Sequence, residues 1–201
     1  MLKVSNYYLF ERDCVGRWID RKKGTNTPPV DWFYWRQGSF IPESEKIPNP
    51  ITFSLKPYNS HSADDSHYMP SYLRGKAPIF SDALLEALRY SGVDNLVTYP
   101  CEITDPDNGL VHKNYKSVNV IGLVAAADME KSNATVHPNG PAMYDVDFDG
   151  LTIDNDKTNG MLFFRLAEST NAIIVHQQVK DTLIAKGFTD LAFYETEKVA
   201  L

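Results

Sequence analysis

Histidine and cysteine are sparse and poorly spaced for metal chemistry. The 201 residues hold five histidines and two cysteines, with no CxxC, no paired Cys/His spacing and no HExxH. Neither a structural zinc site nor a disulfide framework is indicated, so Cys14 and Cys101 are expected to be thiols in a reducing compartment. No run approaches 18 consecutive apolar residues, and the start, MLKVSNYYLFERD, lacks the basic lead and apolar stretch of a signal peptide. The expectation is a soluble, cytoplasmic protein with no membrane segment. GxSxG, GxGxxG and a phosphate-cradling glycine loop are absent too, which leaves no enzyme signature and no expected cofactor.

Clustered positive charge is also missing. The chain has 20 Lys/Arg against 26 Asp/Glu, a net charge of −6. The balance is uneven: residues 1–60 carry 9 Lys/Arg against 6 Asp/Glu, and residues 61–160 carry 7 against 15. Nucleic acid is a poor fit for such a chain, because phosphate neutralisation needs grouped Lys and Arg. A basic protein surface fits it better.

What is present suits a sizeable core, with 43% hydrophobic and 12% aromatic residues. Residues 1–75 read as a strand, KVSNYYLFE, followed by a proline-punctuated, loop-rich region expected to pack on a main domain of residues 76–201. At Ser81 the pattern sharpens: FSDALLEALRYSG has a Ser N-cap, Asp82 in the first turn, leucines at helical spacing and Gly92 as the closing residue. NLVTYPCEIT, the turn DPDNG and LVHKNYKSVNVIGLV then read as a hairpin. MLFFRLAE, NAIIVHQ and FTDLAFYET read as strands, with a helix over HQQVKDTLIAKG that turns Val179, Leu183 and Ile184 inward. Hairpin turns outnumber long crossovers, so the expected fold class is α+β, with a mixed, largely antiparallel sheet and a few short helices packed on it.

Three stretches are candidates for function. DVDFDGLTIDND puts Asp145, Asp147, Asp149, Gly150 and Asp156 at the spacing of an EF-hand loop. Its approach contains Pro138, Gly140 and Pro141, which forbid the entering helix, and Val146/Phe148 then Leu151/Ile153 give two period-two pairs offset at Gly150. The stretch therefore reads as a strand with a turn or bulge at Gly150 and an acidic outer edge, with a calcium-binding module as the less favoured alternative. HSADDSH sets Asp64, Asp65 and Ser66 between His61 and His67 and is the basis of an alternative reading, a small-molecule or modification-reversing enzyme. DWFYWRQGSF, read as a strand, puts Trp32 and Tyr34 on one face and Phe33 and Trp35 on the other. An exposed face beside Arg36 would suit a protein interface, where Trp, Tyr and Arg are the usual anchors.

Three ordered blocks carry a resemblance: a P-x-x-S-D helix start (Pro78, Ser81, Asp82), a V-N-V-x-G strand leading to Asp128 (Val118, Asn119, Val120), and F-R-L-A-E followed by I-I-V. Over about residues 77–195 the chain resembles the bacterial immunity-protein family numbered eleven in polymorphic toxin systems. The resemblance implies an α+β protein without catalytic residues that binds and neutralises a toxin encoded nearby, often one delivered to neighbouring bacteria by a secretion machine. The expected partner is that cognate toxin, with Trp32, Tyr34, Trp35, Arg36, Asp145, Asp147 and Asp149 as candidate contacts. Arg165 and Glu168, charged residues in an apolar strand region, are expected to form a structural polar pair.

Overall fold

A computed structural model describes residues 6–13, 15–21, 32–63, 66–137 and 146–201, with Trp32 by its backbone alone. Twelve strands and three α-helices occur among them: β1 (Tyr7–Arg12), α1 (Trp32–Gln37), β2 (Ile51–Ser54), β3 (Tyr72–Arg74), β4 (Pro78–Ser81), α2 (Asp82–Tyr90), β5 (Leu96–Thr104), β6 (Val111–Val120), β7 (Leu123–Val124), β8 (Ala134–Val136), β9 (Val146–Phe148), β10 (Phe163–Leu166), β11 (Ile173–His176), α3 (Gln177–Ala185) and β12 (Leu191–Glu195). The fold is α+β. One five-stranded sheet runs β12-β1-β11-β10-β7, a second runs β2-β5-β6-β4-β3, and β8-β9 form a separate hairpin. Each large sheet is antiparallel except for one pair at its edge, β10 with β7 and β2 with β5.

Strand alternation explains the layering. In the first sheet Phe10, Phe163, Ile173 and Val175 point into a central core, while Tyr7, Leu9, Phe164, Leu166 and Ile174 point into an outer one covered by Val146 and Phe148 of β9. In the second sheet Tyr72, Phe80, Val118 and Val120 meet the same central core, and Leu73, Ile79, Cys101, Ile103 and Tyr115 line a third. Both sheets are thus buried on both faces, which is why their sequences carry near-continuous apolar runs. Every described strand before residue 75 pairs with one after residue 76: β1 with β11 and β12, β2 with β5, and β3 with β4.

Helices α2 and α3 close the central core with Leu84, Leu85, Leu88, Val179 and Leu183. The Ser81 hydroxyl accepts the Leu84 N–H at 3.2 Å and satisfies one orphan donor of the first turn. Gly92, at φ +99°, lets the chain leave the helix. Ile184, expected inward, is 53% exposed because this nine-residue helix turns only Val179 and Leu183 to the core.

The aromatic run is a helix, not a strand. Trp35 is fully buried in the third core against Tyr99, ring centroids 5.2 Å apart, while Phe33 is 53% exposed. Two clamps hold this short helix on the end of β6: the Asn119 amide donates to the Ser39 carbonyl at 2.8 Å, and Gly122 N–H donates to the Gly38 carbonyl at 3.1 Å. Gly38 sits at φ +57°, and a Cβ there would lie 2.5 Å from the Val120 carbonyl, so no other residue fits. Residues 15–21 are held by Arg17, 1% exposed, whose Nη2 donates to Asp105 at 3.0 Å, Asp107 at 2.6 Å and the Lys56 carbonyl at 3.0 Å.

Two substitutions test this packing by chemical denaturation. Trp35→Ala should cost about 3–5 kcal/mol through the cavity it leaves. Ser81→Ala should cost about 1 kcal/mol through loss of the cap.

Candidate functional site

The expected contact residues do not form one patch. Tyr34 is half-buried, and Trp35 cannot meet a partner without leaving the core. The strand reading failed there because helical geometry, unlike a pleat, sends Trp35 and Arg36 in directions about 100° apart, one into the core and one along its edge. Asp147 and Asp149 lie on the far side of the first sheet, on the hairpin that covers the outer core. Asp145, Asp64 and Asp65, together with the Trp32 side chain, are outside the described residues.

The acidic stretch is a short strand, β9, followed by a bend at Gly150, with Val146, Phe148, Leu151 and Ile153 buried in the outer core. Asp147, its side chain 67% exposed, pairs with His137 Nε2 at 2.8 Å. Asp149 is bridged to Ala200, Gly150 sits at φ +101°, and the Asp154 carboxylate caps a 3-10 turn over Asn155–Thr158 by accepting the Asp156 N–H at 3.1 Å. The contacts of the described aspartates are local and do not converge on a common point. Among the described residues no group of three or more His, Cys, Asp and Glu side chains could hold a metal ion. In the HSADDSH loop, His67 stacks on Tyr58 with ring centroids 4.1 Å apart, and His61 is exposed.

Arg165 and Glu168 do not pair. Arg165 lies within β10 and Glu168 in the bend that follows it, and their side chains take opposite sides of the first sheet. Glu168 Oε1 accepts the Ala127 N–H at 3.2 Å on the outer-core side, and burial raises its pKa. Arg165, 5% exposed, stands on the central-core face beside Ile173, and its Nη1 donates to the Thr170 carbonyl at 3.1 Å. Its Nε has no hydrogen-bond partner among the described residues.

Thr170 gathers a second arginine. Its hydroxyl accepts Arg36 Nε at 2.9 Å, so the loop between β10 and β11 holds the guanidinium of α1 near that of β10. Burial pulls Arg165 down to about 10, and the Arg36 charge pushes the same way, yet the group stays charged at neutral pH. The two line a cleft of about 660 Å³ where the central core runs out between the sheets. Arg21, Arg74 and Lys76 complete a five-cation wall around a floor of Tyr72 and Ile173. Arg74 pairs with Glu11 at 3.0 Å, and Arg21 Nη2 donates to the Arg74 carbonyl at 3.3 Å. Among the described residues Arg21, Lys76 and Arg165 form no ion pair. Burial, then the Glu11 charge, hold the Tyr72 hydroxyl up at about 12, so it remains a neutral hydrogen-bonding group.

Sequence reasoning missed this cleft. Its cations come from four separate places in the chain, with only Arg74 and Lys76 close in sequence. Pro78 and Arg165 of the three motif blocks line it, while others serve the frame around it: Val118 and Val120 fill the central core, Asn119 clamps α1, and the Asp128 carboxylate accepts the Lys131 N–H in a turn. No described helix is long and apolar enough to cross a membrane.

No curated protein gives a significant match to the chain. A family model does, over residues 10–198 of 201, and so reaches well into the N-terminal region as well as the three blocks. On that match the chain belongs to the Immunity protein family (Imm11).

Proposed function

We propose that this protein neutralises one cognate bacterial toxin by stoichiometric, non-catalytic binding, and that it does so in the cytoplasm of a cell exposed to that toxin through type VI secretion or another contact-dependent route. The observation that carries the reading is the family match over residues 10–198. A layered, doubly buried sheet pair suits a rigid inhibitor, because little conformational entropy is then lost on association. Two exposed features favour protein contact. One is the outer edge of the β8-β9 hairpin, where Asp147 and Asp149 face solvent and would attract a basic toxin surface. The other is the outer side of α1, where exposed Phe33 adjoins half-buried Tyr34 and Arg36.

Co-expression with the toxin encoded beside it is the decisive experiment. Protected growth and a complex of fixed stoichiometry on size exclusion are expected; equal killing with and without this protein, and no complex, would discard the proposal. Asp147→Lys/Asp149→Lys should slow association at low salt by about tenfold and leave dissociation nearly unchanged, as rim charges act on encounter. An unaltered association rate would remove the hairpin from the contact surface. Trp35→Phe, which preserves a buried ring, should neutralise as well as the parent; a loss of protection without a loss of stability would return Trp35 to the contact set.

A further inference from the structure

The cleft between the sheets has a composition at odds with the rest of the molecule. A chain of net charge −6 gathers four arginines and a lysine around about 660 Å³ of concave space. That volume is in the range of small-molecule sites, roughly 300–1,000 Å³. Like charges brought together in a fold repel one another, and burying one of them costs more unless an anion completes the group.

Arg165 bears that cost most plainly. It is 5% exposed and lines the cleft, its Nε lacks a hydrogen-bond partner among the described residues, and the carbonyl of Thr170 is a neutral acceptor rather than a counter-ion. Thr170 fixes Arg36 beside it through the hydroxyl, so two planar guanidiniums are oriented before anything binds. Glu11 offsets the charge at Arg74, while Arg21, Lys76 and Arg165 form no ion pair among the described residues, which leaves a surplus of positive charge. Arginine forks of this kind match phosphate oxygens two at a time.

We infer that the cleft is a binding site for a small molecule bearing two or more phosphate groups, with Arg165 and Arg36 holding one phosphate at the floor and Arg21, Arg74 and Lys76 holding the next toward the mouth. A protein segment is the poorer occupant: five of the ten residues lining this concave space are cationic, a density that suits a compact polyanion better than the mixed surface of a protein contact. The inference stands apart from toxin neutralisation: either can fail alone, since one is read by small-ligand titration and the other by complex formation and survival.

The test is calorimetric titration of the full chain with inorganic tripolyphosphate and, separately, with ATP, in low-salt buffer. Saturable binding of one tripolyphosphate per chain is expected. Arg21→Gln/Lys76→Gln, both exposed and harmless to the core, should weaken it at least tenfold, and Arg165→Gln should abolish it. If Arg165→Gln does not fold, Arg36→Gln takes its place, again with a loss of at least tenfold. No saturable heat from either compound at millimolar concentration would overturn the proposal, as would an affinity unchanged in Arg21→Gln/Lys76→Gln. Tighter binding of a hexaglutamate peptide than of tripolyphosphate would also overturn it, and would assign the cleft to an acidic protein segment.

Discussion

The ring of Phe10 is where the two sheets meet, and the rest of the architecture depends on that contact. It is 1% exposed and touches Phe163 at 5.2 Å and Phe193 at 5.8 Å in its own sheet. Across the interface it stacks on Tyr72 at 5.6 Å and meets Phe80 edge-on at 6.0 Å. Aromatic pairs at these separations add about 0.5–1.5 kcal/mol each beyond area burial. Because β1 lies between β11 and β12, the same residue also ties the start of the chain to its last third. The cleft begins where this aromatic layer ends. Tyr72 gives its ring to Phe10 and one edge to the cleft floor, so the apolar packing and the charged wall share a residue.

Regular elements with strong local grammar were legible without coordinates. The Ser81 cap, the DPDNG turn and the paired period-two runs around Gly150 each encode their geometry in a few adjacent residues, and each appears as written. WFYWRQ was misread because aromatic residues favour strands in general, whereas here six residues are too few to display a helical period and tertiary clamping through Asn119 and Gly38 decides the outcome. The separation of Arg165 from Glu168 depends on the bend after β10, which no local signal in the sequence encodes. The cleft was not legible either. Arg21, Arg74 and Lys76 look like ordinary solvated charges, and Arg36 and Arg165 point to other roles, until the topology brings β3, β10 and α1 to one end of the sandwich. An average over the sequence hid them further, because the acidic middle region outweighs them.

The two-sided burial of the first sheet has an electrical consequence. Its apolar layers separate the arginine-rich cleft, on the central-core side, from the aspartates of the β8-β9 hairpin, which sits over the outer core. Packed layers of this kind stand about 10 Å apart, and water cannot enter them to screen one sign from the other. Neither group can collapse onto the other, so each projects its field outward. A charged body approaching the cleft therefore meets the opposite sign from one approaching the hairpin.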